Sequence, residues 1–231
     1  MTPSTRQRRA AGLRTEWIRK GWHMASGLSA TPLILYTGLE YATIVALAAT
    51  FFVLTIETLS LLFAIRLPFW TRQLERVRRP QEHFSWASIG FLLTLILLAW
   101  LCPMPVAIAA AGMLAFGDGF SSLAGKAFGR HAIPWNRRKS WEGSSAGFAA
   151  GFAGAYALVA WYAVHERVTY DPWLLVIVFA FGAAAAMFAE SLPRFEDNVT
   201  VPLFAGGAMW IAWAALGLLP GVGELPRRLL R

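Results

Sequence analysis

The sequence predicts an all-α polytopic membrane protein: a bundle of about seven transmembrane helices with its N-terminus on the cytoplasmic side. Three observations carry this. Hydrophobic residues fill 57% of the 231 positions and charged residues only 15%, with a mean hydropathy of +0.49; a soluble domain is roughly half apolar and a quarter charged. Apolar stretches recur along the chain at lengths near the roughly 20 residues that cross a bilayer. The Lys and Arg residues behind the formal charge of +8 gather between alternate stretches, the pattern of the positive-inside rule. In such a chain a basic excess reports membrane orientation and anionic head groups, so no nucleic-acid partner is expected.

The first segment, residues 1–21, is polar and basic, with Arg6, Arg8, Arg9, Arg14, Arg19 and Lys20. It shows no small-residue cleavage site, and Arg8-Arg9 lacks the rest of a twin-arginine signal, so a retained cytoplasmic segment is expected. Residues 22–231 read as one transmembrane domain, without repeat or linker. Its apolar stretches fall at 22–38, 41–65, 84–101, 103–117, 143–164, 172–190 and 200–219. The fourth is short, and its helix is expected to run on through the small residues between Gly117 and Gly129. With the N-terminus inside, Arg66–Arg79, Lys126–Lys139 and Arg194 share the cytoplasmic side. Arg167 and the closing Arg227, Arg228 and Arg231 lie opposite; the last three move inside if one stretch is re-entrant. The cytoplasmic side thereby receives the start of the first helix and the loops around 117–142 and 191–199.

Those three places hold the unusual polar residues. In Arg19-Lys20-x-x-His23-x-x-x-Gly27, helical spacing puts Glu16, Lys20, His23 and Gly27 on one stripe. That stripe serves either as a basic interfacial anchor with a packing glycine, or as cations and an imidazole for a phosphate or a lipid hydroxyl. In the stretch from Gly117 to Gly147, Asp118, Ser122, Gly125 and Gly129 share a helical face, and Lys126 offers a point charge to a phosphate. Arg137-Arg138-Lys139-Ser140 then meets Glu142-Gly143-Ser144 at a helix start, where free N–H groups bind anions and Ser140 is placed to cap. A plain basic loop would explain the arginines but not Asp118, because a carboxylate at the membrane boundary is costly. The spacing is not that of a Walker A loop. In the third place, Glu190, Glu196, Asp197 and Asn198 offer oxygen ligands for Mg²⁺, or else Asp197 or Asn198 is the N-cap of the last helix and Glu190 an interfacial acid.

Lesser signals point elsewhere or nowhere. Glu57 lies inside the second span and is expected to face the bundle; Glu82-His83 reads as loop. His131 and His165 have no zinc-ligand spacing, no Ser-His-Asp set can be assembled, and the lone Cys102 excludes an internal disulfide.

Taken in order, the motifs resemble the polyprenol kinase family, which includes dolichol kinase, phytol kinase and CTP-dependent diacylglycerol kinase, and more distantly the phosphatidate cytidylyltransferases. The residues that carry the resemblance are Arg19-Lys20-x-x-His23, Gly117-Asp118 through Gly125 and Gly129, Lys139-Ser140-x-Glu142-Gly143-Ser144, then Glu190 and Asp197-Asn198 with Pro202-Leu203. The resemblance implies a lipid kinase that moves phosphate from CTP to the hydroxyl of a membrane alcohol. It implies Mg²⁺ held by Asp118, Asp197 and Glu190, unless Asp118 or Asp197 acts as the base. Lys126, Arg138 and Lys139 would neutralise the triphosphate, and Gly125, Gly129 and Gly143 would let it approach the helix start at Ser140 and Ser144. Asn198 would position metal or ribose, and Arg19, Lys20 and His23 would complete the site; the catalytic set is Asp118, Lys139, Asp197 and His23. The expected partners are a nucleoside triphosphate, a membrane lipid alcohol and the bilayer, with the site facing the cytoplasm, at the cell membrane in a prokaryote. Cytidylyl transfer to phosphatidate is the second reading, and a small transporter or scaffold the third. Asp118→Asn and Lys139→Ala are expected to abolish transfer while leaving the protein folded.

Overall fold

The computed structural model describes residues 17, 20, 21, 24, 25, 27–63, 69, 86–193 and 196–217. Residues 27–37 are helical. After Gly38 come α1 (Leu39–Phe63), α2 (Trp86–Leu101), α3 (Met104–Phe128), α4 (Trp141–Glu166), α5 (Pro172–Ser191) and α6 (Asp197–Ala215). Among the described residues, α1 and α3 to α6 are the five helices long and apolar enough to cross a membrane, and α2 is a shorter apolar helix. The all-α membrane architecture therefore holds, and α3 runs through to Phe128 as expected.

Two features depart from a plain bundle. Residues Met113–Asp118 of α3 form a π-helical segment, a local widening that often marks functional positions. Between α3 and α4, the basic stretch read as loop pairs as an antiparallel hairpin, β1 (Ala132–Ile133) with β2 (Asn136–Ser140). Tertiary contacts hold it. Glu142 accepts hydrogen bonds from the backbone N–H groups of Arg130 (3.2 Å) and His131 (3.2 Å), and the Trp141 N–H donates to the His131 carbonyl at 2.9 Å.

Local chemistry sets the helix ends. Gly38 takes a φ of +82°, which an L side chain rarely adopts, and separates residues 27–37 from α1. Pro103 opens α3 at its N-cap. Asp171 caps α5, its carboxylate accepting from the N–H groups of Trp173 (2.8 Å) and Leu174 (3.4 Å), and Pro172 follows at the position where its missing N–H costs nothing. Leu192, held extended before Pro193, ends the same helix.

The most enclosed helix is α3, packed against α4, α5 and α6. Its seam with α4 is built from small residues, which let helix backbones approach closely inside a membrane. A Cβ on Gly143 would lie 2.7 Å from the Ser121 carbonyl oxygen and 3.1 Å from the Gly125 Cα; one on Gly151 would lie 3.3 Å from the Gly117 Cα. Large apolar side chains face outward on the rim helices, among them Phe51 and Leu62 on α1, Trp173 and Phe181 on α5, and Ile211 on α6. The ends of α3 and α5, the starts of α4 and α6, and the hairpin meet at one end of the bundle, together with Lys20.

Candidate functional site

That end holds an open cleft of about 920 Å³. Its walls come from the last turns of α3 (Ser121, Ser122, Gly125, Lys126), the hairpin from Gly129 to Ser140, and the first turn of α4 (Gly143, Ser144). Glu190, the Leu192-Pro193 turn, Asp197 and Lys20 complete it. The lining cations are Lys20, Lys126, Arg130, Arg137, Arg138 and Lys139; the lining carboxylates are Glu190 and Asp197. Such an excess of positive charge in a partly enclosed cleft draws a polyanion.

Two ion pairs knit the elements together. Lys20 donates a short hydrogen bond to Asp118 Oδ2, with both side chains almost wholly buried. Lys139 donates to Glu190 Oε1 and, at 3.4 Å, to Asp197 Oδ2, so β2 is tied to both α5 and α6. Glu190 Oε1 also accepts from the Ser121 hydroxyl at 2.7 Å. Burial works against the Lys139 ammonium, but the carboxylates of Asp197, Glu190 and Asp118 outweigh it and hold its pKa above the usual lysine range. Glu190 Oε2 and the Ser144 hydroxyl are buried without a hydrogen-bond partner among the described residues. Both belong to cleft-lining residues, and buried polar atoms of this kind call for a ligand or water.

The cleft gathers most of the residues expected from sequence. Lys20, Gly125, Lys126, Gly129, Arg138, Lys139, Ser140, Gly143, Ser144, Glu190 and Asp197 all line it. Ser140 is the N-cap of α4, its hydroxyl accepting from the Gly143 N–H at 3.2 Å. Asp118 is fully buried and paired with Lys20 rather than lining the cleft. Asn198 points elsewhere: its amide donates to the Ala87 carbonyl at 3.0 Å, tying α6 to the start of α2, and it is not among the lining residues. The N-cap position of the last helix is Glu196, without a side-chain capping bond, and not Asp197 or Asn198. Arg19 and His23 lie outside the described residues, as do Glu16, Glu82, His83 and Arg194. Glu57 is buried within α1.

Three participants escaped the sequence reading. Ser121, not Ser122, bonds Glu190; it sits three residues after Asp118 on the same helical face, a spacing as good as the four to Ser122. Trp135 and Asn136 latch the hairpin onto the end of α5. The Trp135 indole N–H donates to Ser191 Oγ at 3.0 Å, and the Asn136 amide donates to the Ser191 carbonyl at 3.1 Å. Nothing local in Pro134-Trp135-Asn136 announces those contacts.

The donor set decides what kind of metal fits. Among the described residues, no three His, Cys, Asp or Glu side chains cluster to hold an ion by themselves. Two cleft carboxylates, one with a free oxygen, suit a Mg²⁺ that arrives on phosphates and takes only one or two protein ligands.

No family model matches the chain, and no solved structure does either. Curated proteins do match. The chain is 32% identical over 131 residues to a probable chloroplastic phytol kinase of Triticum aestivum, covering 54% of this chain and 42% of that protein. It is 34% identical over 104 residues to chloroplastic phytol kinase 1 of Arabidopsis thaliana, covering 43% and 34%. It is 32% identical over 102 residues to the chloroplastic farnesol kinase of the same plant, covering 43% and 33%. The chain spans less than half the length of these relatives. The resemblance drawn from the ordered motifs therefore reaches named kinases of isoprenoid alcohols.

Proposed function

We propose that this chain is a membrane kinase of isoprenoid alcohols, transferring the terminal phosphate of a nucleoside triphosphate, CTP by family resemblance, to a lipid hydroxyl. The observation that carries the reading is the cleft itself: six cations around two carboxylates, at one end of an apolar bundle. Soluble polyanion and membrane alcohol can meet only at such a place. The similarity to phytol and farnesol kinases supports the acceptor class, and the distribution of Lys and Arg supports a cytoplasm-facing cleft.

Phosphoryl transfer asks the protein mainly for positioning and charge neutralisation. Lys126, Arg138 and Lys139 take the triphosphate charge. Asp197, at the cleft wall and the start of α6, accepts the proton of the lipid hydroxyl. The new bond joins that oxygen to the γ-phosphorus, the bond from phosphorus to the bridging oxygen breaks, and the nucleoside diphosphate leaves with the electron pair. Glu190 would hold a Mg²⁺ that arrives with the phosphates, and the ion would supply further charge neutralisation. The Lys20–Asp118 pair ties Lys20, on the cleft wall, to α3.

The test is incubation of purified protein with CTP or ATP and a panel of phytol, farnesol, longer polyprenols and diacylglycerol, with products read by mass spectrometry. A lipid monophosphate and a nucleoside diphosphate are expected. Pyrophosphate and a CDP-lipid formed from phosphatidate would replace the proposal with nucleotidyl transfer, and no transfer to any alcohol would remove it.

A further inference from the structure

The cation set accounts for phosphates but not for the rest of a nucleotide. One uncharged side chain of the cleft has no part in the proposed transfer: Trp135 at the hairpin tip. The residue lines the cleft and is 49% exposed. It packs edge-to-face with Trp141, ring centroids 6.0 Å apart at 85°, and an edge-to-face neighbour covers at most one face of the ring. Its indole N–H is held by Ser191 Oγ at 3.0 Å, so the ring is fixed in orientation before any ligand arrives. The neighbouring Asn136 is committed on both sides of its amide, donating to the Ser191 carbonyl and accepting from the Arg138 N–H at 3.2 Å. A tryptophan serving as a membrane-interface anchor needs neither a pinned N–H nor a place in a polar cleft.

We infer that Trp135 is the stacking platform for the nucleobase of the phosphate donor. The inference rests on the nucleotide-binding reading of the cleft and adds where the base sits. A pinned aromatic face beside a phosphate-binding cation set is the arrangement that captures a base without reading its edge, because every base has a π-face. With Asn136 occupied, the platform favours nucleotides over bare phosphates but separates CTP from ATP only weakly.

The experiment compares binding of CTP, ATP and inorganic tripolyphosphate to the full chain in detergent, for the wild type and for Trp135→Ala, Trp135→Phe and Ser191→Ala. Stacking contributions removed by alanine correspond to roughly a 5- to 150-fold loss. Trp135→Ala is expected to weaken CTP and ATP by a common factor in that range while tripolyphosphate is unchanged. Trp135→Phe, which keeps a ring, recovers most of the loss, and Ser191→Ala, which keeps the ring but frees it, loses only a few-fold. Equal weakening of tripolyphosphate would show that the residue shapes the cleft rather than stacks, and unchanged nucleotide binding in Trp135→Ala would also overturn the platform. If the wild type binds tripolyphosphate as tightly as CTP, the platform alone fails; if it binds none of the three, the nucleotide reading fails and takes the platform with it.

Discussion

Lys139 is the point at which structure and proposed chemistry make separable predictions. Its ammonium bridges Glu190 and Asp197, whose side chains are 1% and 14% exposed, while its own is 25% exposed. Lys139→Met keeps the apolar stem and removes the charge. Among the described residues Glu190 is then left with one donor, the Ser121 hydroxyl at 2.7 Å, for a carboxylate inside the bundle. Breaking a buried pair from one side costs about 3–5 kcal/mol. Because Ser121 remains and the cleft is open to water, the lower end applies, about 3 kcal/mol, or roughly a 150-fold drop in the folded-to-unfolded ratio. Adding Glu190→Gln removes the stranded charge and keeps an oxygen for Ser121, so the double variant is expected to regain about 2 kcal/mol of that loss. Activity follows a different rule. Lys139 meets the phosphates in the proposed mechanism, so both variants should transfer label from γ-labelled CTP at least about 100-fold more slowly than wild type. Denaturant unfolding in micelles reads the first quantity and labelled lipid phosphate the second. The reasoning is refuted if the double variant is no more stable than the single one, or if either keeps more than a tenth of wild-type transfer.

Three further outcomes follow from the same geometry. Gly143→Ala drives a Cβ toward the Ser121 carbonyl and the Gly125 Cα, both backbone atoms, so it should cost about 1–3 kcal/mol, whereas Gly207→Ala in α6 meets nothing within 4 Å and should be neutral or slightly stabilising; unfolding midpoints compare the two. The neighbouring carboxylates hold the folded-state pKa of Lys139 above the usual lysine range, so its pairing is fully present below the unfolded lysine value and is lost only as pH climbs through the folded one; the rate from pH 6 to 9 should show no basic limb that Lys139→Arg removes. Chelation by EDTA should stop transfer yet leave the unfolding midpoint of the nucleotide-free protein unchanged, because the described residues contain no metal cluster of their own; a lowered midpoint would contradict this.

Much of the fold was legible because the bilayer leaves few choices. An apolar run long enough to span must be helical, so α1 and α3 to α6 appear close to where the hydropathy put them, and α3 continues past Asp118 because nothing in Gly119–Phe128 stops a helix. The hairpin was not legible. Asn136-Arg137-Arg138-Lys139-Ser140 has the composition of a basic loop, and it becomes a strand because Glu142 holds the Arg130 and His131 N–H groups and because Trp135 and Asn136 grip Ser191, more than 50 positions away. The site divides in the same way. Lys20, Asp118, Lys139, Glu190 and Asp197 each stood out as charge in an apolar chain. Which pairs with which was hidden, since Lys20 and Asp118 are 98 residues apart and Lys139 and Glu190 are 51 apart. Asp118→Asn and Lys139→Ala each take the counter-charge from a buried partner, Lys20 and Glu190, so both are expected to lower stability as well as transfer.

The pairing also constrains how the cleft can work. Lysines and carboxylates this deep must neutralise one another before any substrate arrives, or the fold pays their desolvation. Lys139 holds Glu190 Oε1 and, more loosely at 3.4 Å, Asp197 Oδ2, and its ammonium has a third N–H to offer a phosphate. In the proposed mechanism the triphosphate competes with Asp197 for that cation, and Asp197 is the group that takes the hydroxyl proton. Glu190 keeps its own contact with Lys139 and the Ser121 bond, so the ammonium stays anchored to α5 as the donor binds. On that proposal, binding of the donor would weaken the hold of Lys139 on the base.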